Sequence, residues 1–139
     1  MIKVRNLSQQ DSKKELEKTF QSLAPGKIDN ILPFSEVYIY VAEKDNRIIG
    51  TATLVVDYKM IHNGGMVGRI EDVSVTEDEM GNGVGSALVE YCVSEAVNKG
   101  VYKVILCCKP ELEEFYSRLD RDWETSSIRP TIPPLWIIL

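Results

Sequence analysis

The sequence predicts a mixed α/β fold in one domain, and three stretches carry that prediction. Val73 and Val75 alternate with Asp72 and Ser74, a strand pattern, and Gly81-Asn-Gly-Val-Gly85 then opens a helical pattern that runs to Lys99. Ahead of it, two runs rich in Val, Ile and Tyr, Glu36 to Glu43 and Arg47 to Val56, flank Asp45-Asn46 and read as a hairpin. Behind it, Val101 to Cys107 is a short, nearly continuous apolar run, as a buried strand is. Pattern alone leaves α+β and α/β both open.

The remaining elements follow in order. Ile2, Val4 and Leu7 predict a first strand over Ile2 to Asn6. Ser12-Lys-Lys-Glu15 is a capping box, and Leu16, Phe20 and Leu23 then line one helical face. Pro25-Gly26 ends that helix, and Ile28 to Phe34 is compatible with a second short one. Tyr58 to Gly68 reads as a loop with Gly64-Gly65 at its tip, and Ile70 to Val75 as the next strand. Between Val84 and Lys99, Ser86, Glu90, Ser94 and Asn98 leave only a narrow polar stripe, so that helix is expected to be covered on most sides. Gly100 is its stop. Pro110 suits a first helical turn, and Glu111, Glu113 and Glu114 suit its positive end. Leu112, Phe115, Tyr116 and Leu119 give that helix an apolar face. Two late strands are expected near Trp123 to Ser127 and Leu135 to Leu139, making the order β-α-(α)-β-β-β-α-β-α-β-β.

Composition narrows the function classes. The chain of 139 residues is 44% hydrophobic and 27% charged, which suits one soluble domain, 1–139, with a core of its own. Its net charge of −5 argues against nucleic acid as a partner. No apolar run is long enough for a signal peptide or a membrane span, so neither secretion nor a membrane partner is expected. Cys92, Cys107 and Cys108 form no CxxC pair, which suits a reduced, cytoplasmic location. With His62 as the one histidine, no His/Cys zinc set can be assembled, and no metal is expected.

The glycine stretch is the most informative chemistry. Three glycines at alternate positions let backbone approach a ligand closely. The first turn of a helix offers N–H groups without internal partners, plus the positive end of its dipole. Together these make an anion site, most naturally for phosphate. The spacing G-x-G-x-G is not the dinucleotide fingerprint, and Gly85-Ser86-Ala87 lacks the lysine of a nucleotide P-loop. A tight turn without a ligand is the competing reading.

Taken together, these residues resemble the GNAT family of acetyl-CoA-dependent N-acetyltransferases. Val73-x-Val75 followed by Met80-Gly-Asn-Gly-Val-Gly85 is similar to that family's pyrophosphate motif, Arg/Gln-x-x-Gly-x-Gly/Ala, with Met80 at the Arg/Gln position. Lys59-Met-Ile-His62, Gly68-Arg-Ile-Glu-Asp-Val73, Val101-Tyr-Lys-Val-Ile-Leu106 and Phe115-Tyr116 resemble, in order and with near-family spacing, the family members that acetylate glucosamine 6-phosphate. The resemblance runs from Lys59 to Tyr116. It implies a GNAT fold: a central, mostly antiparallel sheet splayed between two parallel strands and flanked by helices. It also implies an acyltransferase with acetyl-CoA as cofactor, an amino-sugar phosphate as acceptor, direct transfer in a ternary complex, and a homodimer.

The implied site residues divide by task. Backbone N–H groups of Gly81, Asn82, Gly83, Val84, Gly85 and Ser86 would hold the pyrophosphate, with Met80 at the cofactor motif's first position, and Val73, Ser74 and Val75 would pair with the pantetheine arm as an added strand does. The backbone at Val73 would face the carbonyl oxygen as it becomes an oxyanion. Tyr116 matches the tyrosine beside the sulfur, though a tyrosine on an apolar helical face is more often core. Arg118 can reach the cofactor phosphates or pair with Glu114. For the base, the candidates are Glu71 and Cys107, which stands where the sugar-phosphate enzymes carry an acid. A thiol titrates near pH ~8.5 when unperturbed, which makes it a poor base. Asp72, next to Glu71 and on the opposite face of a regular strand, is a further acceptor contact. Lys59, Met60, Ile61 and His62 match the segment that borders the amino-sugar, and Arg129 is another candidate anion ligand. Two other readings stay open: a GNAT enzyme for another small amine or a protein lysine, which Cys107 favours, and a non-catalytic acyl-CoA-binding module.

Overall fold

Strands form where β-branched and aromatic residues alternate. The computed structural model describes residues 3, 5, 8–20, 26–27, 35–124 and 135–138. Strands β1 (Ser35–Lys44) and β2 (Arg47–Tyr58) make the predicted hairpin, with Asp45 and Asn46 in left-handed conformation at its turn. Two successive positive-φ residues give a turn whose twist matches the strands. Strand β3 (Met66–Val75) pairs antiparallel to β2, while β4 (Lys103–Cys107) and β5 (Leu135–Ile138) add in parallel, giving the order β1-β2-β3-β4-β5.

Helix α1 (Lys13–Phe20) starts at the predicted cap, where the Glu15 N–H donates to Ser12 Oγ at 3.3 Å. Between β2 and β3 lies α2 (Ile61–Gly64), a single irregular turn with His62 and Asn63 left-handed. Helix α3 (Val84–Lys99) ends at Gly100, as expected. It lies on the sheet through Leu88, Val89, Cys92, Val93 and Ala96. At Gly50 of β2, a Cβ would fall 2.9 Å from Leu88 Cδ1 and 3.0 Å from the Ser74 carbonyl oxygen. Bare backbone there is what lets the start of α3 sit down on the sheet. Beneath it, Leu54, Ile70 and Leu106 are fully buried. Each such side chain contributes roughly 1.5–3 kcal/mol to folding. Helix α4 (Glu113–Glu124) follows a 3₁₀ turn, Pro110–Leu112. No described helix is long and apolar enough to cross a membrane.

Two expectations change. The predicted loop Tyr58 to Gly68 shrinks to residues 59–65, because Tyr58 pairs with Met66 and Val67 is needed against Lys103 of β4. The Lys59 N–H closes that loop on the Gly65 carbonyl at 2.8 Å. The expected strand at Trp123 does not form there, since α4 continues through Glu124. Leu112, Phe115, Leu119 and Trp123 keep helical spacing, and that periodicity wins over the local aromatic signal. The predicted first strand over Ile2 to Asn6, the short helix over Ile28 to Phe34 and residues 125–127 lie largely or wholly outside the described residues.

Candidate functional site

The site begins with an irregularity in β3. Thr51 pairs with Ser74 and Thr53 with Glu71, so two β3 residues oppose Ala52 alone. That is a β-bulge, and Asp72 within it has φ 52. The bulge shifts the faces of the strand. Ile70 is buried toward α3, and the next residue on that side is Val73, which packs against the core. The bulge therefore corrects the simple expectation that Glu71 and Asp72 alternate on a regular strand.

Beyond Ile70, β3 keeps β2 but leaves β4, whose last pair with it is Leu106. The two parallel strands splay, and two clefts open at the parting. One, of roughly 450 Å³, is lined by Val73 and Val75 of β3, the 80–86 loop and the start of α3, and Leu112, Phe115 and Tyr116. The other, of roughly 470 Å³, is lined by Asp72, Val73, Cys107, Cys108, Lys109, Leu112 and Tyr116. Val73, Leu112 and Tyr116 belong to both walls.

The first cleft has the character of an anion and acyl-chain groove. Gly83, at φ 80, caps α3 without any side chain, and a Cβ on it or on Gly81 would meet nothing within 4 Å. That leaves room for a ligand beside the first turn of α3, whose N–H groups have no intrahelical partner, a fit for a phosphate. The N–H group of Asn82, expected to join them, instead donates to the Glu79 carbonyl at 3.3 Å, and that of Met80 donates to the Glu77 carbonyl, also at 3.3 Å. The long apolar wall from Val73 to Phe115 fits an acyl-carrying arm. Met80 is 64% exposed at the rim, a thioether where the family motif has a cation or amide.

The second cleft sets Asp72, Cys107, Cys108, Lys109 and Tyr116 beside the apolar Val73 and Leu112. Tyr116 is 5% exposed, and burial, with the nearby Cys108, pushes its hydroxyl pKa up. Its proton therefore stays in place across neutral pH. Burial raises the Cys107 thiol as well, the Glu71 charge adds to the rise, and Arg69 opposes it. Cys107 therefore keeps its proton at neutral pH, with less thiolate available to act as a base than an exposed cysteine has. Glu71 lines neither cleft: it is half-buried behind Asp72 in the chain and held by Arg69, whose Nε lies 3.4 Å from Asp57 Oδ2.

Not every predicted residue meets here. Lys59, Met60, Ile61 and His62 lie at the opposite end of β3, with His62 against the Tyr102 ring at 4.5 Å. From Met66 to Asp72 the strand spans roughly 20 Å, so within one chain this segment does not reach the clefts. Arg118 is exposed on α4 and is not part of either wall, and Arg129 lies outside the described residues. Among the described residues no His/Cys/Asp/Glu group could hold a metal ion. Sequence reasoning missed Leu112, Phe115, Cys108 and Lys109 as wall residues and Arg69 as the partner of Glu71. Phe115, exposed on an apolar helical face next to Tyr116, carried the one available signal.

Residues 3–120 match the model of the Acetyltransferase (GNAT) family. The chain is 42% identical over 77 residues to the probable glucosamine 6-phosphate N-acetyltransferase 2 of Oryza sativa subsp. japonica, covering 55% of this chain and 46% of that relative. It is 42% identical over 71 residues to the glucosamine 6-phosphate N-acetyltransferase of Candida albicans, covering 51% and 48%. These matches span about half the length of the relatives. The crystal structure of glucosamine-6-phosphate N-acetyltransferase from Arabidopsis thaliana superposes with a TM-score of 0.57 at 33% identity, over 60% of this chain and 58% of that one.

Proposed function

The chain belongs to the acetyltransferase (GNAT) family, and on that premise we propose that it transfers the acetyl group of acetyl-CoA to the amine of glucosamine 6-phosphate. One observation carries the reading: two clefts meet at the splay of β3 and β4 and share Val73, Leu112 and Tyr116. A donor in one and an acceptor in the other would bring thioester and amine together without an acyl-enzyme, and that proximity is itself a large part of the rate.

The residues then take these roles. The N–H groups of Gly81, Gly83 and the α3 start hold the pyrophosphate, and the free edge of β3 over Val73, Ser74 and Val75 receives the pantetheine arm. The backbone at Val73 stabilises the oxyanion. Asp72 lines the acceptor side, and Glu71, paired with Arg69 and outside the cleft wall, takes the amine proton through a water. The Cys107 carbonyl orients the amine, and Tyr116 gives its proton to the departing thiolate.

A homodimer completes the reading. Lys59 to His62 lie far from the clefts of their own chain, which supports their serving the acceptor site of a partner. Light scattering at micromolar concentration should give twice the chain mass, and a monomer mass would remove this part.

Cys107 in place of an acid favours a second reading, in which the acceptor is another small amine or a protein lysine. A thiol-release assay over a panel of amines tests both. Release with glucosamine 6-phosphate alone supports the first, and release with other amines alone supports the second. Tight acetyl-CoA binding without release from any amine would leave a non-catalytic binding module.

A further inference from the structure

Glu79 is a carboxylate in the wall of the cleft that the glycine loop lines. It is 9% exposed and lines that cleft beside Met80 and Gly81. Uncompensated, it would repel a pyrophosphate. Two cations compensate it: Lys44 Nζ lies 3.2 Å from Oε1 and 3.4 Å from Oε2, and Arg47 lies 3.8 Å from Oε1 while bonding Asp78 at 2.7 Å. Lys44 and Arg47 pair directly across the β1–β2 turn, so the hairpin tip delivers both charges together. The same carboxylate accepts from Asn82 Nδ2 at 3.1 Å, and Asn82 stands between the two left-handed glycines of the loop. Asn82 and then Lys44 hold the Glu79 pKa below its ordinary value, so the group stays ionised.

We propose that Lys44 and Glu79 form a charge-neutral brace in which Glu79 positions the glycine loop through Asn82 and Lys44 cancels the charge that would oppose the cofactor's pyrophosphate. The inference rests on the reading that this loop binds acetyl-CoA. It explains how the loop serves an anion although Met80 brings no charge. With backbone donors alone facing the phosphates, a bare carboxylate in the same wall would decide the affinity.

The test is titration calorimetry of acetyl-CoA into the full chain and four variants, Lys44→Ala, Lys44→Arg, Glu79→Gln and Lys44→Ala with Glu79→Gln. Lys44→Ala should weaken binding at least about tenfold at low salt, and added salt should narrow the gap. Lys44→Arg should bind as the unaltered chain does. Adding Glu79→Gln to Lys44→Ala should restore most of the lost affinity, because it removes the charge that Arg47, at 3.8 Å and bonded to Asp78, neutralises only in part, and it keeps the amide oxygen as an acceptor for Asn82. In steady state the loss should fall on KM for acetyl-CoA and not on kcat. Thermal melts confirm that each variant folds. Equal binding by Lys44→Ala, or a double variant as weak as Lys44→Ala alone, would overturn the brace. An unaltered chain that binds no acetyl-CoA would instead overturn the functional reading beneath it.

Discussion

Gly83 is where the anion site can be tested with a single charge. It caps α3 at φ 80, and a Cβ there points into open space. A substituent therefore meets no protein atom, and the conformation sets its structural cost. Left-handed backbone costs an ordinary residue roughly 1–2 kcal/mol. Asn and Asp tolerate it better than most, so Gly83→Asn and Gly83→Asp should both fold with a modest drop in Tm. The two side chains share a shape and differ by one charge. A carboxylate about 6 Å from a phosphate, at an effective dielectric constant of about 20, is repelled by roughly 2.8 kcal/mol per phosphate charge. The cleft is open to solvent, which screens part of this. The expected floor for the Asp–Asn difference is about 1.4 kcal/mol, or tenfold in Kd for acetyl-CoA. Titration calorimetry at low salt measures it, and a repeat at high salt should shrink it. Equal affinity of the Asn and Asp variants would refute the assignment of the pyrophosphate to this loop.

The remaining predictions concern proton movement and burial. Tyr116→Phe keeps the ring in the wall of both clefts, so kcat should fall by about 10²–10⁴-fold while Tm and acetyl-CoA affinity hold. Parallel loss of Tm and activity would return Tyr116 to the core alone. Glu71→Gln should cost activity heavily at pH 7 and recover partly at higher pH, where more amine is free, whereas Cys107→Ala should cost little because burial and the Glu71 charge keep that thiol neutral. The reverse pattern in folded variants would exchange their roles. Cys92 is fully buried, and burial pushes its pKa from 9.0 up to about 11. The unfolded chain therefore loses this proton first, so its contribution is present below about pH 9 and is lost as pH rises toward 11, by up to about 3 kcal/mol. Cys92→Ala should flatten that part of the stability–pH curve in denaturant titrations, and an unchanged slope would show that the thiol does not drive it.

The parts of this fold set by local pattern were legible in the sequence. The hairpin, the start of α3 at Val84 and its end at Gly100 each rest on periodicity or a stop residue within a few positions. The bulge was not legible. Asp72 looks like any polar member of an alternating strand, and its left-handed φ is imposed by pairing with β2 while β4 departs. The Lys44–Glu79 pair was equally hidden, since the two are 35 residues apart and meet only because the hairpin folds back beside the loop. The glycine loop showed itself as a run of small residues, but its wall partners Leu112 and Phe115 read only as a helical face.

The bulge explains why one strand can serve both structure and chemistry. β3 needs β2 along nearly its whole length, since Val56, Leu54 and Ile70 build the core between them. A donor arm that binds as an added strand needs the other edge of β3 free. Those demands conflict on a flat strand, where β4 would take that edge to its end. The extra residue at Asp72 bends and twists β3, which bulges do locally, and the β4 ladder stops at Ile70. A non-glycine residue held in this conformation costs about 1–3 kcal/mol. The burial of Ile70 and Leu106 just before the parting is of the same size or larger, so the strain can be held where it is needed. The same bend turns Asp72 out toward Cys107 and Lys109 and leaves Glu71 with Arg69. In the proposed function, acceptor-side chemistry and donor-side backbone would thus come from adjacent residues of one strand, separated by a single left-handed step.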